Sequence, residues 1–161
     1  MDIFTVTLGL CSENRVAYDE FSRSFVNTAS VGRVRIWLGE GDICLCGDVR
    51  RGRIAGMCGC LYKALPVKAG KFEPFPILDG TVTMSYGGKL LGAMYINYSG
   101  RGIYADKQNN VIWFGKPQEN DIAVRVCKNL IICMKNGELC GAVIENIVID
   151  DEWFHFKGRT R

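Results

Sequence analysis

The residues best suited to chemistry in this sequence are cysteines, of which there are eight in 161 residues. Cys44, Cys46, Cys58 and Cys60 form two Cys-x-Cys pairs, and four thiols are a donor set that zinc accepts. In an extended strand, however, side chains two residues apart stand about 6–7 Å from each other, whereas thiolates that share a zinc ion must approach to about 4 Å. The spacing therefore favours two facing strands that contribute small core residues. We expect no cofactor, and metal ligation by these four cysteines is the alternative.

The surroundings of the thiols bear on their oxidation state. An even number of cysteines is typical of a disulfide framework in a secreted protein. The N-terminal residues lack the basic and long apolar segments of a secretory signal. Several cysteines lie in apolar stretches, such as Ile131–Met134, where a thiol behaves as a small hydrophobic side chain. We therefore expect reduced cysteines in the core and a cytoplasmic location, with disulfides and metal ligation left open.

A cysteine-dependent hydrolase is a second possibility. Cys11 precedes a predicted helix start, where backbone N–H groups and the helix dipole favour a thiolate. His155, the only histidine, lies in an apparent aromatic strand. A cysteine at a helix start and a histidine on a strand are the arrangement of papain-like enzymes. An Asn or Asp that orients the imidazole would have to precede His155 in the sequence, and Asp150 and Asp151 are candidates. Because a lone histidine in such a strand is more often structural, this hypothesis is an alternative.

Basic residues offer a third kind of site. Arginine and lysine side chains contact nucleic-acid phosphates, and two short basic segments of the sequence could do so together. The net charge is only +3, so no strong basic field supports this interpretation, and a nucleic-acid-binding small β-barrel is a further alternative. The residues concerned are Arg50, Arg51, Arg53, Lys157, Arg159 and Arg161.

The segment of about residues 13–27 predicts the one helix. Ser12 is a suitable N-cap. Tyr18, Phe21 and Phe25 recur at the spacing of one helical face, with charged residues mostly elsewhere.

Nearly all of the remaining sequence predicts β-strands. Short apolar segments alternate with glycine, asparagine and aspartate turns, and glycine is frequent, at 19 residues. The strands are predicted at 3–10, 33–38, 42–49, 53–63, 81–86, 89–98, 102–105, 111–114, 122–127, 130–135, 138–149 and 152–157. The fold class is therefore mainly β: antiparallel, glycine-rich hairpins that form a small barrel or sandwich, with one N-terminal α-helix.

The length fits a single β-rich domain, residues 1–161. Three of the four prolines fall within residues 66–76, which predicts a loop there. This loop is the only boundary at which the domain would divide into sub-lobes, 1–65 and 77–161.

Three segments share a Gly-x-x-x-Gly pattern that predicts an internal repeat of hairpins: Gly52–Gly56, Gly88–Gly92 and Gly137–Gly141. The first glycine would supply a positive φ at the turn, and the second would mark a bulge or a close approach of backbones. The stretch Leu130–Gly158 also resembles the central strands of SH3-like small barrels, including Sm-like proteins, and this resemblance implies barrel geometry alone.

Composition and missing motifs narrow the function to a broad class. Hydrophobic residues make up 48%, so the chain is not disordered by composition. No apolar run approaches the ~20 residues that span a bilayer, so we expect no membrane partner. No phosphate-binding loop or dinucleotide-binding motif is present. We therefore expect a non-enzymatic intracellular interaction or assembly protein with a protein partner or self-association, such as a viral or phage accessory or particle component in the host cytoplasm or virion.

Overall fold

The structure, a computed structural model, describes residues 4–29, 32–37, 43–48, 52–61, 67–86, 89–90, 93–95 and 102–155. In chain order the strands are β1 (Phe4–Leu8), β2 (Val16–Asp19), β3 (Ser24–Asn27), β4 (Gly32–Trp37), β5 (Cys44–Asp48), β6 (Arg53–Cys60), β7 (Val67–Ala69), β8 (Leu78–Tyr86), β9 (Lys89–Leu90), β10 (Ala93–Tyr95), β11 (Ile103–Asp106), β12 (Val111–Gly115), β13 (Ile122–Cys127), β14 (Leu130–Lys135) and β15 (Glu138–Ile144). Two short 3-10 helices are Pro117–Glu119 and Asp151–His155. No helix within the described ranges is long and apolar enough to cross a membrane.

The strands form one connected, mixed sheet. Neighbouring strands run in the order β10-β4-β5-β6-β8-β13-β14-β15-β12-β11-β7, with β1 and β9 on β8 and the β2–β3 hairpin on β6. Most neighbours are antiparallel, but β10 and β4, β8 and β13, and β7 and β11 are parallel. The prediction of a mainly β fold is confirmed. The predicted barrel is wrong, because closure needs the end strands to pair and, in the part of the chain that is described, β10 and β7 do not.

The predicted helix over residues 13–27 is also wrong, since this segment forms the β2–β3 hairpin. Tyr18 and Phe25 face each other across the two strands, with ring centroids 5.6 Å apart. Phe21, the middle member of the expected helical face, lies in the turn and is 99% exposed. The aromatic spacing that suggested a helix is therefore the spacing of a cross-strand pair around a short turn.

Asparagine side chains bond this hairpin to distant parts of the chain. The Asn129 carboxamide accepts a hydrogen bond from the Val16 N–H at 2.8 Å and donates one to the Val16 carbonyl at 2.7 Å, as a neighbouring strand would. Asn27 makes the same two kinds of bond with the backbone of Met57 in β6, at 3.2 and 2.9 Å. Because unpaired buried backbone groups are costly, these bonds favour the hairpin over a helix.

The strands of the C-terminal half are buried on both faces. One face contributes Ile132 and Ile144 to the main core, which extends to Phe4 of β1. The other face is covered by the segment that follows β7, where Phe72 packs on Trp113 with ring centroids 5.4 Å apart. This segment lies within the predicted proline-rich loop, so the loop covers the sheet and completes a second, smaller core.

Two of the three predicted glycine hairpins lie within the described residues, and their geometry is confirmed. Gly52 and Gly137 have φ values of 64° and 76° at their turns. In both hairpins the ladder shifts register beside the second glycine, Gly56 or Gly141, as expected for a β-bulge. The glycines of the remaining hairpin lie outside the described residues, and a common origin of the three stays a prediction.

The last predicted strand is wrong, because Asp151–His155 form a 3-10 helix. The Asp150 carboxylate accepts a hydrogen bond from the Glu152 N–H at 2.9 Å, which favours a turn at this point. The turn directs Trp153 inward, where its ring packs on Tyr18 with centroids 4.5 Å apart.

Candidate functional site

Three cysteine sulfurs meet between β5 and β6. Cys44 lies directly opposite Cys58 in the antiparallel ladder, and the two Sγ atoms are 3.2 Å apart. Cys46 is joined to Cys58 as a disulfide, across Cα atoms 6.7 Å apart. The Sγ of Cys46 also lies 4.0 Å from that of Cys44. The expectation of facing Cys-x-Cys strands is therefore confirmed, but the expectation that these thiols are all reduced is not met.

The three-cysteine cluster, Cys44, Cys46 and Cys58, is largely shielded from solvent. Cys44 and Cys46 are 1% and 3% exposed, and Cys58 is half-buried. On the other face of the same strands, Leu45 and Met57 belong to the main core, so close packing holds both backbones in place. The two β5 sulfurs lie 4.0 Å apart, closer than the separation of about 6–7 Å expected for residues two apart in a strand.

The fourth cysteine of the predicted metal set lies apart from this cluster. The Sγ atoms of the other three lie within 4.8 Å of one another, and Cys60 is not among them. Cys60 is half-buried and pairs with Ser24 of β3. Elsewhere, burial raises the pKa of the Cys127 and Cys133 thiols, so these two stay protonated at neutral pH and are poor nucleophiles.

Cys11 and His155 lie on separate elements. Cys11 is half-buried and precedes Ser12, which bridges to Cys127 of β13. His155 is exposed at the end of the C-terminal 3-10 helix. Both side chains are described, and no hydrogen bond joins them. The predicted helix start beside Cys11 is absent, so the papain-like arrangement on which the hydrolase hypothesis depended is not formed.

One of the six predicted phosphate-binding residues is described. Arg53 is exposed at the start of β6, opposite Asp48 of β5. Nucleic-acid binding therefore stays a prediction. The other five residues lie outside the described ranges: Arg50, Arg51, Lys157, Arg159 and Arg161.

A small pocket of about 180 Å³ lies between the β2–β3 turn and the C-terminal 3-10 helix. Burial raises the pKa of Tyr18 in this pocket to about 12, so its phenol stays protonated at neutral pH. The lining holds no cysteine or serine that could act as a nucleophile. It consists of Tyr18, Glu20, Arg23, Asp150, Glu152 and Trp153.

A strand edge without a described neighbour lies along β1, and the sequence did not predict it. β1 pairs with β8 on one side, and no described strand pairs with its other side. The segment Phe4–Leu10 contains no charged residue and no proline, the residues that commonly protect edge strands. Leu8 and Leu10 are 59% and 94% exposed. Leu78 is exposed nearby, since Leu8 pairs with Gly80 two positions along β8. The uncharged N-terminal segment was the signal in the sequence.

Comparison with known proteins supplies no relative from which a function could be transferred, since no protein-family model and no curated protein matches this chain. The two features of the fold that bear on function are the free edge of β1 and the three-cysteine cluster.

Proposed function

We propose that this chain is a non-enzymatic interaction protein that assembles by pairing the free edge of β1 with β1 of a second copy. The observation that carries the proposal is the uncharged, proline-free edge whose Leu8 and Leu10 are 59% and 94% exposed. Natural proteins that stay monomeric protect such edges with charge, proline or a bulge, because an open edge is a template for another strand.

The edge is complementary to itself. Antiparallel pairing about a two-fold axis places Val6 opposite the partner's Val6. Thr5 then faces the partner's Thr7. β-branched cross-strand pairs of this kind contribute roughly 0.2–1 kcal/mol each. Because the segment carries no charge, no like charges oppose each other across the axis, and a second copy is the occupant that these residues favour.

The exposed leucines set the strength of the association. Full burial of a leucine side chain contributes about 1.5–3 kcal/mol, so covering Leu8, which is 59% exposed, in both copies contributes roughly 2–4 kcal/mol in addition to the cross-strand pairs. Association itself costs about 4–15 kcal/mol in lost translational and rotational freedom. We therefore expect a reversible dimer whose population rises with concentration.

The test is the molar mass of the chain in solution, measured by light scattering over about a hundredfold range of concentration. We expect a shift from monomer to dimer across this range. Leu8→Lys would place a lysine from each copy opposite the partner's Phe4 within the shared edge, and the variant should stay monomeric. Phe21→Lys is the matched control, because Phe21 is 99% exposed in the β2–β3 turn and the same change there should leave the dimer intact.

Two outcomes would contradict pairing through β1. One is a wild-type chain that remains monomeric at every concentration. The other is a dimer that Phe21→Lys disrupts and Leu8→Lys does not. Far-UV circular dichroism of each variant establishes that the β structure is retained. A place in a larger assembly, such as a viral or phage particle, stays a prediction.

A further inference from the structure

We propose that Cys44, Cys46 and Cys58 together bind one Cu(I) ion in the reduced protein, and that the Cys46–Cys58 disulfide is the metal-free, oxidised form of the same site. The two forms exclude each other, because a sulfur in a disulfide bond cannot act as a thiolate ligand. The proposal goes beyond assembly through β1 and does not depend on it.

The positions of the three sulfurs fit one shared ion. Metal–thiolate bonds of about 2.3 Å place sulfurs around a three-coordinate ion about 4 Å apart. The Sγ atoms of Cys44 and Cys46 already have this separation, at 4.0 Å. Those of Cys44 and Cys58 are 3.2 Å apart, so a rotation about χ1 of the half-buried Cys58 brings the third ligand into place. The Cα atoms of Cys46 and Cys58, 6.7 Å apart, leave room for an ion between their side chains.

The donor set favours a soft ion. All three ligands are sulfur, and within the described residues no histidine or carboxylate joins the group. Soft thiolate ligands select Cu(I) or zinc. Structural zinc sites are almost always four-coordinate, whereas three thiolates complete the coordination of Cu(I). Cys44 and Cys46 are 1% and 3% exposed, and this burial protects Cu(I) from oxidation by keeping solvent and dissolved oxygen from the ion.

The fold supplies a rigid support for the site. Cys44 and Cys58 occupy directly opposed positions of the β5–β6 ladder, so backbone hydrogen bonds fix two of the ligands relative to each other. Leu45 and Met57 anchor the opposite face of both strands in the main core. A site carried on paired strands is held more firmly than a site on loops.

The change between the two forms is a balanced thiol–disulfide exchange. Two thiol groups of a cellular reductant such as glutathione supply two electrons and two protons to the Cys46–Cys58 bond. They become the reductant's own disulfide, and the protein gains two thiols. Binding of Cu(I) then displaces the thiol protons of the ligating cysteines to solvent.

The experiment uses the full chain, reduced with a phosphine and kept free of oxygen, and titrated with Cu(I) in competition with bicinchoninate. We expect one Cu(I) to be retained per chain. Cys46→Ser should lose it, while Cys60→Ser, on the same strand but outside the cluster, should keep it. X-ray absorption at the copper edge should show three sulfur neighbours at about 2.3 Å.

Oxidised wild-type chain tests the site without a substitution, so a folding defect of Cys46→Ser cannot decide the outcome. It should keep its circular dichroism spectrum and take up no Cu(I). The proposal is overturned if the reduced chain retains no Cu(I), if oxidised and reduced chains retain equal amounts, or if the chain takes up zinc in preference to Cu(I).

Discussion

Replacement of Asn129 by alanine tests how the N-terminal hairpin is held. Asn129 is completely buried, in the turn between β13 and β14. Its carboxamide bonds to both backbone groups of Val16 and donates a further hydrogen bond to the Glu145 carbonyl at 3.0 Å. Alanine removes all three bonds and leaves the N–H and carbonyl of the buried Val16 without this partner.

The expected loss of stability is large. A buried polar group left unpaired costs about 1–3 kcal/mol. Two such groups on Val16, together with the partly shielded carbonyl of Glu145, give an expected decrease of about 3–5 kcal/mol in the free energy of unfolding. Since domains are stable by only about 5–15 kcal/mol in total, Asn129→Ala should be close to the limit of folding.

Urea unfolding followed by tryptophan fluorescence measures this loss, and Asn120→Ala is the matched control. Asn120 is half-buried and donates to the Pro117 carbonyl three residues away at 2.7 Å, so its replacement should cost about 1 kcal/mol. Asn129→Asp keeps the shape but sets a carboxylate against two carbonyl oxygens. It should be less stable at neutral pH and recover partly in acid, where the protonated carboxyl can donate. Equal, small losses in all three variants would refute the reasoning that Asn129 holds the hairpin.

Three further perturbations test other parts of the fold. The hydrogen bond from the Phe72 N–H, with those from the following turn, holds the pKa of Asp106 below its ordinary value. The ionised Asp106 carboxylate therefore stabilises the fold above an ordinary carboxyl pKa of about 4, and this stabilisation is lost as pH falls through the lower pKa of the folded state. Asp106→Asn should lower the urea concentration at the unfolding midpoint at neutral pH, and the variant and the wild type should have the same midpoint in acid. Gly141→Ala should decrease the free energy of unfolding by about 1–3 kcal/mol and so lower the melting temperature, because the new Cβ would lie 2.8 Å from neighbouring backbone atoms. An unchanged melting temperature would show that the bulge can relax. Trp153→Ala should cost about 3–5 kcal/mol, and an ultraviolet titration should show the pKa of Tyr18 falling from about 12; a pKa that stays there would mean that another group buries the phenol.

The strands that could be predicted from the sequence are those whose signals are local. The β14–β15 hairpin lies where alternating apolar residues and an Asn-Gly turn place it, with Gly137 at φ 76°. The β2–β3 hairpin could not be predicted in this way. The Ser12 hydroxyl accepts a hydrogen bond from the Asn14 N–H at 3.2 Å, as the side chain of a helix N-cap accepts one from a backbone N–H two or three residues later. The bonds that decide the conformation, however, join Val16 to Asn129, 113 residues away. Long-range pairing overrides a local helical period.

The cysteine site could be predicted in part. Two facing Cys-x-Cys strands follow from the alternation of apolar residues, and the ladder places Cys44 opposite Cys58. Whether the sulfurs of Cys44 and Cys46 stand apart or together depends on χ1 of each side chain, which the strand period does not determine. The average separation of residues two apart therefore left metal ligation as the alternative, whereas three of the four sulfurs lie within 4.8 Å of one another.

The free edge of β1 depends on the length of β8, which no local pattern specifies. At one end Leu78 of β8 pairs with Val124 of β13, and further along Thr83 pairs with Arg53 of β6. β13 and β6 therefore pair with different stretches of β8, on the same side of that strand. β1 occupies the other side, where its residues pair with Gly80 to Met84. Within the described residues nothing lies beyond β1 in the sheet, so the uncharged segment is an edge by topology. A strand with this composition in a sheet interior would need no protection; at an edge, the same composition favours a partner strand.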